Sequence, residues 1–186
     1  MAKLIYAANM SLDGYIEDPD GKFDWSVPDD EVHQFYNDLV REVGIHLYGR
    51  RMYETMMVWE TDTGFTAHSP ILRDFAEAWQ AAEKIVYSRT LETVSTSRTR
   101  IERIFDPEAV RKLKGTTQKD ILIGGPGLAA HAFRADLIDE CLFFLAPISL
   151  GGGKPAFPVD VRVKLESLEA RRFPNGMVLH RYRTRL

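Results

Sequence analysis

The sequence predicts an α/β domain built on a mainly parallel sheet with a C-terminal antiparallel hairpin, and three observations predict it. Short apolar runs suited to buried strands alternate with stretches whose apolar residues recur at helical spacing. Two helical stretches open on the same signal, Ser69-Pro70 and Asp106-Pro107, a capping residue followed by proline at the first helical position. The chain closes with two β-like runs around Pro174-Asn175-Gly176, a strong hairpin signal.

Leu4 to Met10 reads as a buried first strand, followed by a loop rich in Asp, Gly and Pro from Asp13 to Pro28. Val32, Phe35, Tyr36, Leu39, Val40 and Val43 share one helical face. Ile45 to Tyr48 is a short strand ended by Gly49, and Arg50 to Val58 is a short helix. The helix opened by Ser69-Pro70 carries the stripe Ile71, Leu72, Phe75, Ala76 and Trp79, and Lys84 to Tyr87 is the next strand. Thr99 to Phe105 reads as a strand, and the helix from Asp106 runs to about Lys114. Asp120 to Ile123 is a strand that runs into Gly124-Gly125-Pro126-Gly127, after which Leu128, Ala129, Ala132 and Phe133 share a helical face. Glu140 to Pro147 is the most apolar strand, and Gly151-Gly152-Gly153-Lys154-Pro155 reads as a flexible loop. Arg162 to Phe173 and Met177 to Arg185 form the terminal hairpin. No repeat or linker divides the chain, so residues 1–186 are expected to form one domain.

Composition narrows the function. The 186 residues are 45% hydrophobic and 27% charged, with a net charge of -3, ordinary values for a globular protein. There is no basic excess of the kind that nucleic-acid binding requires, and no apolar run long enough for a membrane span. The N-terminus turns polar too soon for a signal peptide. A single cysteine, Cys141, cannot form an internal disulfide and sits in an apolar run, so a cytoplasmic protein is expected. The five histidines form no H-E-x-x-H pattern, and neither a Walker A run nor a G-x-S-x-G elbow is present.

Three strand ends carry phosphate-compatible chemistry. At Gly124-Gly125-Pro126-Gly127-Leu128 a strand delivers glycines to a helix start, where free N–H groups and the helix dipole suit a pyrophosphate; a tight turn without ligand explains the same residues. Read from Gly125 the spacing is G-x-G-x-x-A, but it falls late in the chain and the next strand supplies no acid for a ribose, so a Rossmann domain is not predicted. Gly49-Arg50-Arg51 places two guanidinium groups at another helix start. Ser88-Arg89 follows a third strand, and in open α/β sheets ligands bind at that edge. Asn9 ends the first strand, and Trp25-Ser26-Val27-Pro28-Asp29-Asp30 precedes the first helix, where the two acids serve either as caps or as a functional carboxylate.

These segments, in this order, resemble the dihydrofolate reductase superfamily. The nearest branch is the reductase domain of the bifunctional deaminase-reductase of riboflavin biosynthesis and its stand-alone relatives. The resemblance rests on Ser11-Leu12-Asp13-Gly14, Gly49-Arg50 with Tyr53-Glu54, Ser88, Gly124-Gly125 and Phe157-Pro158. It implies a dihydrofolate-reductase-like fold, a homodimer and NADPH as cofactor. Ala8, Asn9 and Ile16 would meet the nicotinamide end. Gly49, Arg50, Arg51, Gly124, Gly125, Gly127 and Leu128 would hold phosphates, and Ser88 and Arg89 the adenosine end. Trp25, Asp30 and Tyr53 would bind substrate, with Asp30 as the catalytic acid. Leu145 stands where folate reductases carry a threonine, which counts against folate. A deaminase half cannot be built with one cysteine. The expected activity is reduction of a small heterocycle, a riboflavin precursor or a pterin, against the alternative of a nucleotide-binding protein without catalysis.

Overall fold

Strands apolar on both faces, such as Leu4-Ile5-Tyr6 and Cys141-Leu142-Phe143-Phe144, can be buried only at the centre of a sheet covered on both sides. The computed structural model, which describes residues 1–185, places them there. The chain runs β1 (Leu4–Ser11), β2 (Tyr15–Glu17), α1 (Asp30–Glu42), β3 (Val43–Gly49), α2 (Arg50–Met56), α3 (Val58–Thr61) and α4 (Thr63–Ala67). It continues with α5 (Pro70–Ala81), β4 (Glu83–Tyr87), β5 (Thr99–Glu102), α6 (Pro107–Thr116), β6 (Asp120–Gly124) and α7 (Pro126–Arg134). Last come β7 (Glu140–Ala146), β8 (Lys154–Pro155), β9 (Lys164–Arg172) and β10 (Val178–Arg185).

An eight-stranded sheet has the order β5-β4-β3-β6-β1-β7-β10-β9. The strands from β5 to β7 are parallel, and β10 runs antiparallel to both β7 and β9. Leu4, Tyr6, Ile121, Ile123 and Phe143 face α7 and Val110 of α6. Ile5, Leu142 and Phe144 face Val32, Phe35 and Tyr36 of α1. Tyr48 and Val86 meet Val40, Phe75 and Trp79 on that second side, where Trp79 Nε1 donates to the Tyr48 hydroxyl at 3.0 Å. Each fully buried ring or branched side chain contributes about 1.5–3 kcal/mol through water exclusion. Cys141 is part of the first core, and its burial, with Glu140 beside it, pushes the thiol up to about 12.

The two edges of the parallel sheet differ. At the N-terminal edge Glu140 is held by Lys3 at 2.7 Å and Arg181 at 2.6 Å, while Asp139 takes Lys114 at 2.6 Å. Those ion pairs close that edge. The C-terminal edge is left to turns and helix starts.

The caps form as the sequence predicts: Ser69 accepts from Leu72 N and Asp106 from Glu108 N. At α1 the cap is Asp29, which accepts from Val32 N. The last turn is a three-residue loop in which Gly176 N donates to Phe173 O and only the glycine has positive φ, +90°. Pro174 sets the turn and Gly176 takes the left-handed position.

Four expectations are corrected. Thr99 to Phe105 is strand only to Glu102, because Arg103 turns back to donate to Ser88 O and Leu91 O. The short helix after Gly49 ends at Met56 and is followed by α3 and α4, the latter capped by Asp62. The segments read as loops at Asp13–Pro28 and Gly151–Pro155 pair with each other as β2 and β8. The glycine run is also fixed at its start, since Leu150 N and Gly151 N donate to the Asp13 carboxylate. No helix among the described residues is long and apolar enough to cross a membrane.

Gly153 allows the β2–β8 crossing. Its φ is +128°, and a Cβ there would lie 1.9 Å from Glu17 O. Gly153→Ala is expected to destabilise the protein by about 2 kcal/mol or more, read as a lower urea midpoint. Gly127→Ala, in the first turn of α7 with open space around it, is expected to be neutral or stabilising by roughly 0.5–1 kcal/mol.

Candidate functional site

The crossovers decide where a ligand can sit. From β1 the chain crosses to β3, on one side; from β6 it crosses back over β1 to β7, on the other. Between β1 and β6 the connections therefore diverge, and at such a switch point the C-terminal strand edge opens into a crevice. A cleft of about 460 Å³ lies there. The ends of β1 and β6 and the middle of β3 form its floor, through Ala7 to Asn9, Leu122, Gly124, His46 and Tyr48. Helices α1 and α2, the α3–α4 segment and the β2 loop form its walls.

The predicted phosphate turns come together. Parallel register sets Tyr48 opposite Gly124 and Gly49 opposite Tyr87, the residue before Ser88. Three turns thus emerge side by side. Gly49 caps α2 with open space where a side chain would stand. Gly125 caps α7 at φ +88°, a conformation that favours glycine, and no side chain caps the helix start that follows at Pro126.

Individual side chains fall into two sets. Ala8, Asn9, Ile16, Arg51, Gly124 and Gly125 border the cleft. Asn9 is fixed from both ends of its amide: Nδ2 donates to Ser26 O at 2.9 Å, and Oδ1 accepts from the Tyr36 hydroxyl. Burial holds that phenol well above its ordinary range, so Tyr36 remains a donor. Arg51 pairs with Glu17 at 3.1 Å and reaches Gly21 O, tying α2 to the β2 loop. Arg50 turns the other way, to Glu54 at 2.7 Å and Thr90 Oγ1 at 3.0 Å, so the two arginines do not act as one fork. Ser88 accepts from Thr90 N and Leu91 N, and Arg89 beside it is exposed. Gly127 is exposed at the start of α7; the Leu128 side chain is buried in the core, leaving its backbone alone to face a ligand.

The substrate residues implied by the resemblance lie off the cleft wall. Tyr53 is buried, and its hydroxyl accepts from Ser95 N at 2.8 Å and meets Thr96 Oγ1 at 3.1 Å. Asp30 is exposed in the first turn of α1, two residues after Pro28, which does border the cleft. Trp25 packs toward α1 and donates to Lys22 O.

Sequence reasoning passed over the inner wall. His33 and Tyr36 face the cleft from α1, and Met52 and Met56 from α2, with Trp59 and Phe75 behind them. Asn37 donates through Nδ2 to Ile71 O and Asp74, which leaves its Oδ1 to accept from His33 Nδ1 at 3.0 Å. The available signal was a polar residue at a core position: His33 on an apolar helix face, and His46 inside Ile45-His46-Leu47-Tyr48.

With this geometry in place, the comparison with known proteins is decisive on family. The RibD C-terminal domain profile matches residues 2–179. The chain belongs to the RibD C-terminal domain family. The sheet order and terminal antiparallel strands fit the dihydrofolate-reductase-like fold of that domain. A Bacillus subtilis protein, the uncharacterized YyaP, is 29% identical over 180 residues, covering 95% of this chain and 92% of its own. Among solved structures, a Shewanella sp. PV-4 protein assigned to riboflavin biosynthesis superposes with a TM-score of 0.77 at 23% identity, covering all of both chains. The Thermotoga maritima diaminohydroxyphosphoribosylaminopyrimidine deaminase/5-amino-6-(5-phosphoribosylamino)uracil reductase gives 0.62 at 18% identity, with 99% of this chain matching 57% of that one.

The RibD C-terminal fold also explains the Ser11-Leu12-Asp13-Gly14 motif. Asp13 accepts from the Ser11 hydroxyl at 2.7 Å, from Leu150 N and Gly151 N, and from the Ser149 hydroxyl at 3.0 Å. The Ser11 hydroxyl first, then the Leu150 amide, hold its carboxyl well below the usual carboxylate range. A depressed folded-state pKa contributes stability that is present above about pH 4 and lost as pH falls toward the folded value. Asp13→Asn is therefore expected to be less stable than wild type at pH 7, with the gap narrowing below about pH 4, by urea midpoints at several pH values.

Proposed function

We propose that this chain is an NADPH-dependent oxidoreductase acting on a small heterocycle. The names of its relatives, a uracil reductase among them, support a pyrimidine-like ring as the group it reduces. The observation that carries the reading is the alignment of the Gly49, Ser88 and Gly124 turns at one sheet edge, with Gly124 and Gly125 bordering the cleft at the switch point. Family membership supports it.

The residues present fit a dinucleotide. Gly49 and Gly127 have open space for a close backbone approach, and α7 offers its free N–H groups beside them. Arg50, Arg51, Ser88 and Arg89 would hold the phosphates and the adenosine end, with a guanidinium favouring the 2′-phosphorylated cofactor. Ala8, Asn9 and Ile16 would border the nicotinamide. The bound cofactor supplies a hydride; the chain supplies position and exclusion of water. Asn9, locked between Tyr36 and Ser26, keeps the end of β1 rigid. The loop before α1 is tethered at Asp13, by the β2–β8 pairing and by Arg51, which also holds Gly21, so the stretch left to move is Phe23 to Trp25. With Asp30 exposed and off the wall, solvent at the open mouth delivers the proton.

A homodimer and a cytoplasmic setting complete the proposal. The free edge of β9, with Leu168 exposed on it, is where a second copy would pair.

Arg50→Ala is expected to weaken NADPH binding roughly tenfold or more, the loss of one or two charge-assisted hydrogen bonds, measured by calorimetry. Unchanged affinity would remove Arg50 from the cofactor site. Asp30→Asn is expected to keep turnover within about threefold, whereas a loss near a hundredfold would hand the proton back to Asp30.

A further inference from the structure

His46 is a polar residue without an internal role. It is fully buried on β3, it borders the cleft, and neither ring nitrogen has a hydrogen-bond partner among the described residues. Its ring stacks on Tyr48 with centroids 5.5 Å apart. The Tyr48 hydroxyl is engaged by Trp79 and does not serve it. Burial first, then the nearby Lys84, push His46 down to about 3, so the ring is neutral and offers one donor and one acceptor. A buried polar group left unpaired costs about 1–3 kcal/mol. Such an expense at the floor of a cleft marks a group kept for a ligand.

The surroundings state what that ligand is. Val40, Met52, Met56, Trp59 and Phe75 border the same cleft as His46. At the mouth Phe23, Val27 and Phe65 border the same cleft while 46%, 72% and 45% exposed. Apolar side chains left in water around an opening mark a contact surface for an apolar partner. Arginine and lysine are sparse: of the bordering residues only Arg51 and Lys154 carry them, and Glu17, also on the wall, already pairs with Arg51. The inner wall, from His33, Tyr36 and Val40 to Trp59 and Phe75, therefore carries no arginine or lysine to pair with a substrate phosphate.

We propose that the inner part of this cleft is a subsite for a flat, largely hydrocarbon fused-ring heterocycle without a phosphate, held at its polar edge by His46. The inference rests on the reductase reading above and narrows its substrate class away from phosphoribosylated pyrimidines. Methionines and aromatic rings supply the contact area, and the imidazole sets which edge points at the floor. His46 is thereby a specificity residue.

Quinazoline-2,4-dione, a hydrocarbon ring fused to a polar edge, is the probe, with uridine 5′-monophosphate as the phosphorylated comparison. Both are titrated calorimetrically into wild type, His46→Phe and His46→Gln, with and without saturating NADPH. Wild type is expected to bind the quinazolinedione at least tenfold more tightly than the nucleotide. His46→Phe, relieved of two orphaned nitrogens, is expected to melt no lower than wild type and to keep NADPH binding, yet to lose tenfold or more in quinazolinedione affinity. His46→Gln, which restores a donor and an acceptor, is expected to recover part of it. Tighter binding of the nucleotide, or equal quinazolinedione affinity in His46→Phe, overturns the subsite. Failure of wild type to bind NADPH sinks the reductase reading instead, and is seen independently of the probe.

Discussion

The parallel pairing of β1 with β6 on one side and β7 on the other is the constraint from which the rest follows. Leu4 sits opposite Ile121, and Ala8 opposite Phe143. Because parallel strands point the same way, every return of the chain must start at the same edge. That edge therefore collects the turns, the helix starts and their unpaired N–H groups. The opposite edge has no such demand and is closed by the Lys3–Glu140–Arg181 cluster.

Within the site, fixed and exposed features alternate. Asn9 and Tyr36 are locked by each other, and the β2 loop is held by Asp13 and Arg51. Arg50, Arg89 and Gly127 face solvent. The proposed dinucleotide would meet backbone at the glycine turns and exposed guanidinium groups around them, Arg50 already held by Glu54 and Thr90. The inner wall of the cleft, proposed above as the substrate side, is different in kind: aromatic and thioether side chains, buried imidazole, and little charge.

Much of this was legible in the sequence because it is local. Caps at Ser69 and Asp106, glycines at strand ends and the Pro174-Asn175-Gly176 turn each encode their geometry within a few residues. Their convergence at one edge follows from parallel topology, which strand–helix alternation implies. The unread parts depend on partners far apart in the chain. Nothing near Gly151 announces that its amide will meet Asp13, 138 residues away. Tyr53 belongs to a recognisable motif, but its direction depends on where the 91–98 segment packs, and that segment takes its hydroxyl. Asp29 and Asp30 are chemically equivalent in sequence, and only the helix phase assigns the cap.

The buried state of Cys141 has a practical side. Packed in β7 between Phe143 on one face of the sheet and its antiparallel neighbour Tyr182, the thiol is neither ionised nor reachable at neutral pH. A cysteine placed on the surface would be the sole target for a maleimide dye. Spectroscopic reporters of loop motion can then be attached at chosen positions without first rebuilding the core.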